Sequence, residues 1–222
     1  MQGLYAIVDL GVLAEHGVDP VKFARAVLRA RPAALQLRAK ELPARDVLAL
    51  LRAVGPMCRS AGTWLVANDR ADLAVLTACD CVHIGQDDIA IERVRRIAPG
   101  LRVGVSTHTP DQLEKALEAR PDYVAYGPVF ATTSKKDADR VVGLEGLRIA
   151  RAMALAAGIP LVAIGGITVE RARDVQKLAD AGAVIGALFS GGAAASDFED
   201  VTRRACALHA ALSPPPASEA RP

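Results

Sequence analysis

Several things are missing from this chain, and each absence excludes a class of protein. Its 27 basic and 25 acidic residues leave a net charge of only +2, too balanced to imply a nucleic-acid partner through bulk electrostatics. Its 18 glycines and 13 prolines in 222 residues are near average usage, which removes collagen-like and low-complexity classes. No apolar run reaches about 18 residues, so no membrane-spanning segment is expected. Met1-Gln2-Gly3-Leu4-Tyr5 lacks a basic stretch followed by an apolar core, so a signal peptide is not expected either and the expected location is cytoplasmic. Cysteine is scarce: Cys58, Cys79, Cys81 and Cys206 contain no C-x-x-C pair, and no histidine stands at zinc-finger spacing from them. A disulfide framework does not suit a chain of this length without an export signal, and buried packing thiols are the expectation.

What remains is 51% hydrophobic and 23% charged, and it alternates between two textures. Short, continuously apolar runs recur at Leu4–Val8, Ala33–Leu37, Thr63–Ala67, Cys81–Ile84, Leu101–Val105, Tyr123–Tyr126, Pro160–Ile164 and Ala183–Ala187. Runs without polar alternation are what strands look like when helices cover their sheet. Between them lie stretches of helical spacing, such as Pro43 to Ser60, where Val47, Leu50, Leu51 and Val54 form one stripe. Thr109-Pro110 reads as an N-cap followed by proline at the first helical position. Gly62, Gly100 and Gly158 fall where helices should stop.

Eight strands alternating with helices, at roughly 28 residues per unit, is the arithmetic of an α/β fold of the (β/α)8 TIM-barrel type, whose lower size limit is about 200 residues. The competing doubly wound sheet would carry G-x-G-x-x-G after its first strand, and Asp9-Leu10-Gly11 leads elsewhere. The expected organisation is one barrel domain over residues 1–212, with 213–222 as a disordered tail lacking an apolar face.

In such barrels function sits at the C-terminal ends of the strands. Gln36, Arg38 and Lys40 follow the second run, and their spacing of two projects them to one side while the chain is extended. Asn68-Asp69-Arg70 follow the third, Gly85-Gln86-Asp87-Asp88 the fourth and Ser106-Thr107-His108 the fifth. Thr132-Thr133-Ser134-Lys135-Lys136 come after the sixth, Gly165-Gly166 after the seventh and Gly186-Ala187 at the eighth. Arg38, Lys40 and Lys135 suit phosphate oxygens. The glycines let backbone amides approach a ligand, and the last two loops of this fold frequently hold phosphate. Asp69 and Asp88 are hard oxygen ligands of the kind Mg²⁺ takes together with substrate phosphates. Spacing and charge thus suggest a monophosphate site near the glycines and a metal-bridged pyrophosphate site near the Asp, Arg and Lys groups.

Duller readings stand beside these. Arg38 and Lys40 could be a solvated turn. Asp69 could merely cap a helix over Arg70–Ala78, and Asp87 or Asp88 one over Ile89–Ala98. His83 reads as a satisfied core histidine, and His16 and His209 as surface helix residues. His108 lies near Ser106 with no carboxylate to complete a triad and no G-x-S-x-G, which rejects a serine hydrolase.

In order along the chain, Gln36-Leu37-Arg38-Ala39-Lys40, Asn68-Asp69-Arg70, His83-Ile84-Gly85-Gln86-Asp87-Asp88 and Gly104-Val105-Ser106-Thr107-His108-Thr109 form one set. Tyr126-Gly127-Pro128-Val129-Phe130, Thr132 to Asp137, Gly143-Leu144-Glu145 and Ala163-Ile164-Gly165-Gly166-Ile167 complete it. This set resembles the thiamine phosphate synthase family over almost the whole chain. The resemblance implies an enzyme that joins a pyrimidine methyl pyrophosphate to a thiazole phosphate by a dissociative route, with Mg²⁺. It implies Gln36 as a pyrimidine contact and Arg38, Lys40, Asn68, Ser106 and Lys135 as pyrophosphate ligands, with Arg38, Lys40, Ser106 and Lys135 carrying catalysis. It further implies Asp69 and Asp88 as metal carboxylates, and Thr132, Ser134, Gly166 and the Ile185-Gly186 backbone as the thiazole-phosphate site.

The chain departs from the family pattern at Gly186, usually serine, and at Ala39, commonly glutamate. Gly127-Pro128 stands where the related thiazole tautomerases resemble a Gly-His pair, which argues against that subfamily. A non-catalytic thiazole-phosphate-binding barrel is the other alternative, and the presence of Asp69, Asp88 and Lys135 argues against it. Gly127 to Gly143 spans 17 residues where about 2–6 is usual, and the expectation is a lid carrying Lys135. Partners are expected to be small molecules only, with neither nucleic acid nor membrane, and a homo-oligomer stays open.

Overall fold

The computed structural model describes residues 1–132, 140–189 and 197–214. Its strands are β1 (Gly3–Asp9), β2 (Ala34–Arg38), β3 (Trp64–Asn68), β4 (Cys81–Ile84), β5 (Arg102–Thr107), β6 (Tyr123–Tyr126), β7 (Leu161–Ile164) and β8 (Ala181–Val184). Each pairs in parallel with the next, and β8 returns to β1, closing a (β/α)8 barrel. The helices are α1 (Leu10–Glu15), α2 (Pro20–Leu28), α3 (Ala44–Ala61), α4 (Ala71–Leu76), α5 (Ile91–Ile97), α6 (Pro110–Glu118), α7 (Gly143–Ala157), α8 (Val169–Gln176) and α9 (Phe198–Leu212). Among the described residues no helix is long and apolar enough to cross a membrane.

Alternation along each strand divides the core in two. Outward residues such as Leu4, Leu35, Leu65, Val82 and Val103 pack against helix residues such as Phe23, Leu51, Leu113, Leu147 and Leu208. Inward residues, among them Tyr5, Val66, Cys81, Tyr123 and Val162, fill the barrel itself. Both faces of each strand are buried, which is why the runs carry no polar alternation.

Glycine sets two close approaches. Gly104 pairs with Tyr123 across β5 and β6, and a Cβ there would lie 2.0 Å from the tyrosine ring. On β8, a Cβ on Gly182 would lie 2.6 Å from Leu212 of α9.

Thr109 caps α6 as expected, accepting from the Gln112 amide, with Pro110 opening the helix. Gly62 and Gly158 close α3 and α7 in the left-handed conformation, at φ +69° and +68°. Gly100 does not end α5. That helix stops at Ile97, and Ala98 leaves helical geometry with φ −142° because Pro99 follows it and disfavours the helical region for its predecessor. The last strand begins two residues earlier than expected and is over by Val184, after which Gly186–Leu188 form a 3-10 turn. The alanine- and glycine-rich texture there has no period to mark an end, and pairing of Ala181 with Gly3 and Val162 sets the register instead.

Candidate functional site

The C-terminal ends of the strands bring the polar residues to one mouth. At the end of β1, Asp9 is buried and divides its carboxylate. One oxygen accepts from the Gly11 and Val12 amides, capping α1, and the other accepts from Arg38 Nη1. The side chains of Asp9 and Arg38 are 5% and 24% exposed. A charge so far from water needs a partner, and this pair aims the Arg38 fork from β2. One layer deeper, the buried Gln36 donates Nε2–H to Tyr5 Oη at 2.8 Å.

After β3 the backbone of Asp69 is left-handed, at φ +62°, a conformation aspartate tolerates better than most residues. Its N–H donates to His83 O at 2.8 Å. The capping reading of Asp69 is therefore wrong: α4 starts after Arg70 with no side-chain cap. Neither Asp87 nor Asp88 caps α5, which begins after Ala90 without one. Asp88 folds back instead, its Oδ2 accepting from the Gly85 amide at 2.6 Å.

The two carboxyls meet across the mouth. Burial, then the hydrogen bond and charge of Asp88, push Asp69 up to about 6, while Lys40 and Arg38 pull it down. Three predicted residues, Arg38, Lys40 and Asp88, thus act electrostatically on a fourth, Asp69. Asn68 stands beside them, in register with His83 on β4.

His83 Nε2 lies 2.7 Å from Ser106 Oγ on β5, and His83 Nδ1 lies 2.9 Å from Tyr123 Oη. Burial pushes the imidazole down to about 4, so it stays neutral at neutral pH. The core reading of this histidine holds, with one consequence: its second nitrogen reaches a predicted ligand. Gln86 Nε2 donates to Ser106 O at 2.5 Å and fixes the strand end.

The loop after β6 lies along the end of β7. Val129 N–H donates to Ile164 O at 2.8 Å, and Phe130 N–H to Gly165 O at 3.0 Å. Gly165 and Gly166 have φ of +100° and +62°. A Cβ on either would come within 2.5 Å of Pro128 or of Ala131 O. The glycine pair is thus required by close backbone approach, and it leaves Thr132 one residue beyond the contact with Gly166. The same loop returns through Val142 N–H to Pro128 O at 2.9 Å. Ile185 is half-buried and Gly186 exposed, at the turn after β8. Ser134 and Lys135, the centre of the expected lid, and most of the expected tail lie outside the described residues.

Asp9, Tyr5 and Tyr123 were not singled out from the sequence. Gly104 was the available signal, since glycine inside a strand marks a close approach. Cys58, Cys79 and Cys81 are buried as expected, with burial pushing the Cys58 thiol up to about 12 and Cys79 to about 11. Cys206 is exposed on α9, because it falls on the solvent side of that helix beside the buried Ala205.

Arginine, lysine and a carboxylate pair gathered with glycine-bounded loops at the mouth of a parallel barrel define a phosphate-handling barrel of the (β/α)8 class. A family model described as thiamine monophosphate synthase matches residues 4–191. The chain belongs to that family. It is 41% identical over 212 residues to the thiamine-phosphate synthase of Roseiflexus sp. (strain RS-1), covering 95% of this chain and 85% of that protein. It is 40% identical over 193 residues to the thiamine-phosphate synthase of Moorella thermoacetica, covering 84% and 90%. Among solved structures, the thiamine phosphate pyrophosphorylase from Pyrococcus furiosus superposes with a TM-score of 0.80 at 30% identity, covering 95% of each chain.

Proposed function

We propose that this chain is a transferase that joins a pyrimidinylmethyl pyrophosphate to a thiazole phosphate, giving thiamine phosphate and pyrophosphate. The observation that carries the reading is the mouth itself, where Asp69 and Asp88 meet within reach of Arg38 and Lys40. The bond from the methylene carbon to the pyrophosphate oxygen breaks, and the oxygen keeps the electron pair. The thiazole nitrogen then gives its lone pair to the methylene cation. No proton moves in either step, so the reaction needs fixed positive charge at the departing oxygens more than a general base. This suits a site whose buried histidine is held neutral with both ring nitrogens engaged.

The donor set fits Mg²⁺. Among the described residues no group of three or more His, Cys, Asp or Glu side chains converges as a closed metal cage. Two adjacent carboxylates with room for water and phosphate oxygens are the usual Mg²⁺ arrangement, and the repulsion that adds to burial in raising Asp69 is relieved by a cation between them. Asp69 and Asp88 would hold the ion, which would neutralise charge on the pyrophosphate. Arg38, Lys40, Asn68, Ser106 and Lys135 would hold the pyrophosphate, and Gln36 the pyrimidine. Thr132, Ser134, Gly166 and the Ile185-Gly186 backbone would hold the thiazole phosphate. Incubation with both substrates and Mg²⁺, followed by mass spectrometry, should show thiamine phosphate; its absence would end the reading.

A further inference from the structure

The barrel interior holds a continuous hydrogen-bonded chain that runs from one predicted substrate contact to another. Gln36 Nε2 donates to Tyr5 Oη at 2.8 Å, and Tyr5 Oη lies 2.8 Å from Tyr123 Oη. Tyr123 Oη lies 2.9 Å from His83 Nδ1, and His83 Nε2 lies 2.7 Å from Ser106 Oγ. Five side chains from five strands take part, and four of them, all but the half-buried Ser106, are buried.

Each link has one proton, so the links must agree in direction. An amide nitrogen donates and does not accept, a neutral imidazole has one donor and one acceptor nitrogen, and each phenol donates once. With the Gln36 nitrogen facing Tyr5, the Tyr5 proton goes to Tyr123 and the Tyr123 proton to His83 Nδ1. The imidazole proton is then on Nε2 and points at Ser106 Oγ. Ser106 receives that bond, and its own hydroxyl proton turns away from His83. With the Gln36 amide turned this way, the reverse direction would point the Tyr5 proton at an N–H donor and leave a buried phenol proton without an acceptor. The Cys81 thiol also faces Tyr123, but it is a weak donor and offers no comparable acceptor.

We propose that Tyr5, Tyr123 and His83 are positioning residues that set the polarity of this chain, so that the Ser106 hydroxyl donates to an anionic oxygen while the Gln36 carbonyl oxygen is turned away from Tyr5 to accept from an N–H of the substrate. Recognition at the two ends is coupled through the interior of the barrel. A substrate with an amino N–H donor at one end and an anion at the other matches one polarity, and one lacking the donor does not. The inference rests on the synthase reading for the identity of that substrate, while the polarity is a property of the protein alone.

The polarity can be read without substrate. In protein labelled with ¹⁵N-histidine, the His83 ring, assigned by the loss of its signals in His83→Gln, should be the Nε2–H tautomer. The Nδ1–H tautomer would overturn the proposal, whether or not the protein makes thiamine phosphate. With activity in hand, Tyr123→Phe keeps the ring and removes one link. It should lower kcat roughly tenfold and leave KM for thiazole phosphate unchanged. Combined with Ser106→Ala it should cost no more than Ser106→Ala alone, because Tyr123 acts through that hydroxyl. Losses that multiply would mean that Tyr123 acts independently and would overturn the coupling. A wild-type protein that is inactive but shows the Nε2–H tautomer would sink the synthase reading and leave the polarity standing.

Discussion

A histidine whose two nitrogens are both bonded inside a barrel resists taking a second proton, and this makes His83 a source of acid sensitivity. Its folded value is about 4, below the ordinary 6.5, with burial as the main cause. A depressed value means that between these limits the unfolded chain binds the proton and the folded one does not. The contribution is therefore complete above about pH 6.5 and is lost as pH falls towards 4, by about 3 kcal/mol. Asp69 works in the opposite sense, because its folded value is raised to about 6: the folded state holds its proton longer, and stability falls as pH rises through that range. The two slopes oppose each other between pH 4 and 6, so the wild-type curve should be flatter than His83 alone would give. Urea unfolding of wild type and His83→Gln across pH 4 to 7 separates them. Stability should decline more steeply in the wild type as pH falls, and parallel curves would show that the imidazole is not held neutral.

At the level of strands and helices, glycine decides where side chains may lie. Gly104 lacks the Cβ that would sit 2.0 Å from the Tyr123 ring, so the tyrosine can lie across β5 and reach both His83 and Tyr5. Gly104→Ala forces ring or strand to move, a case of overpacking that costs about 3 kcal/mol. Urea unfolding should show this loss, and Tyr123→Val added to it should recover part of the stability; a neutral Gly104→Ala would mean that the ring has room to shift. The strands were legible because both of their faces are buried, leaving apolar runs bounded by polar residues. The end of β8 was not, because alanine and glycine dominate both strand and turn there. The end of α5 is legible from Pro99, which stops the helix at Ile97 before Gly100 is reached.

Across the whole molecule, the parallel barrel turns sequence position into spatial position, and this separates what could be read from what could not. Arg38, Lys40, Asp69 and Asp88 end or follow strands, so the rule for strand ends is enough to assign them to one mouth. The pairing of Arg38 with Asp9 and the bond between Tyr5 and Tyr123 join residues 29 and 118 positions apart, and no local pattern encodes such contacts. The mouth is assembled only in the closed barrel, so ligands that need all of it bind the folded state and not the unfolded chain. At about a hundred times its dissociation constant, a ligand adds about 2.7 kcal/mol of stability. For a chain of this size that raises Tm by roughly 5–10 °C. Pyrophosphate with Mg²⁺ should give such a shift if Asp69 and Asp88 hold the ion between protein and phosphate. Chelation of the metal, or Asp88→Ala, should remove most of it, while thiazole phosphate alone should shift Tm equally with and without chelator. A pyrophosphate shift that survives both treatments would locate the anion on Arg38 and Lys40 alone and take the metal away from the carboxylate pair.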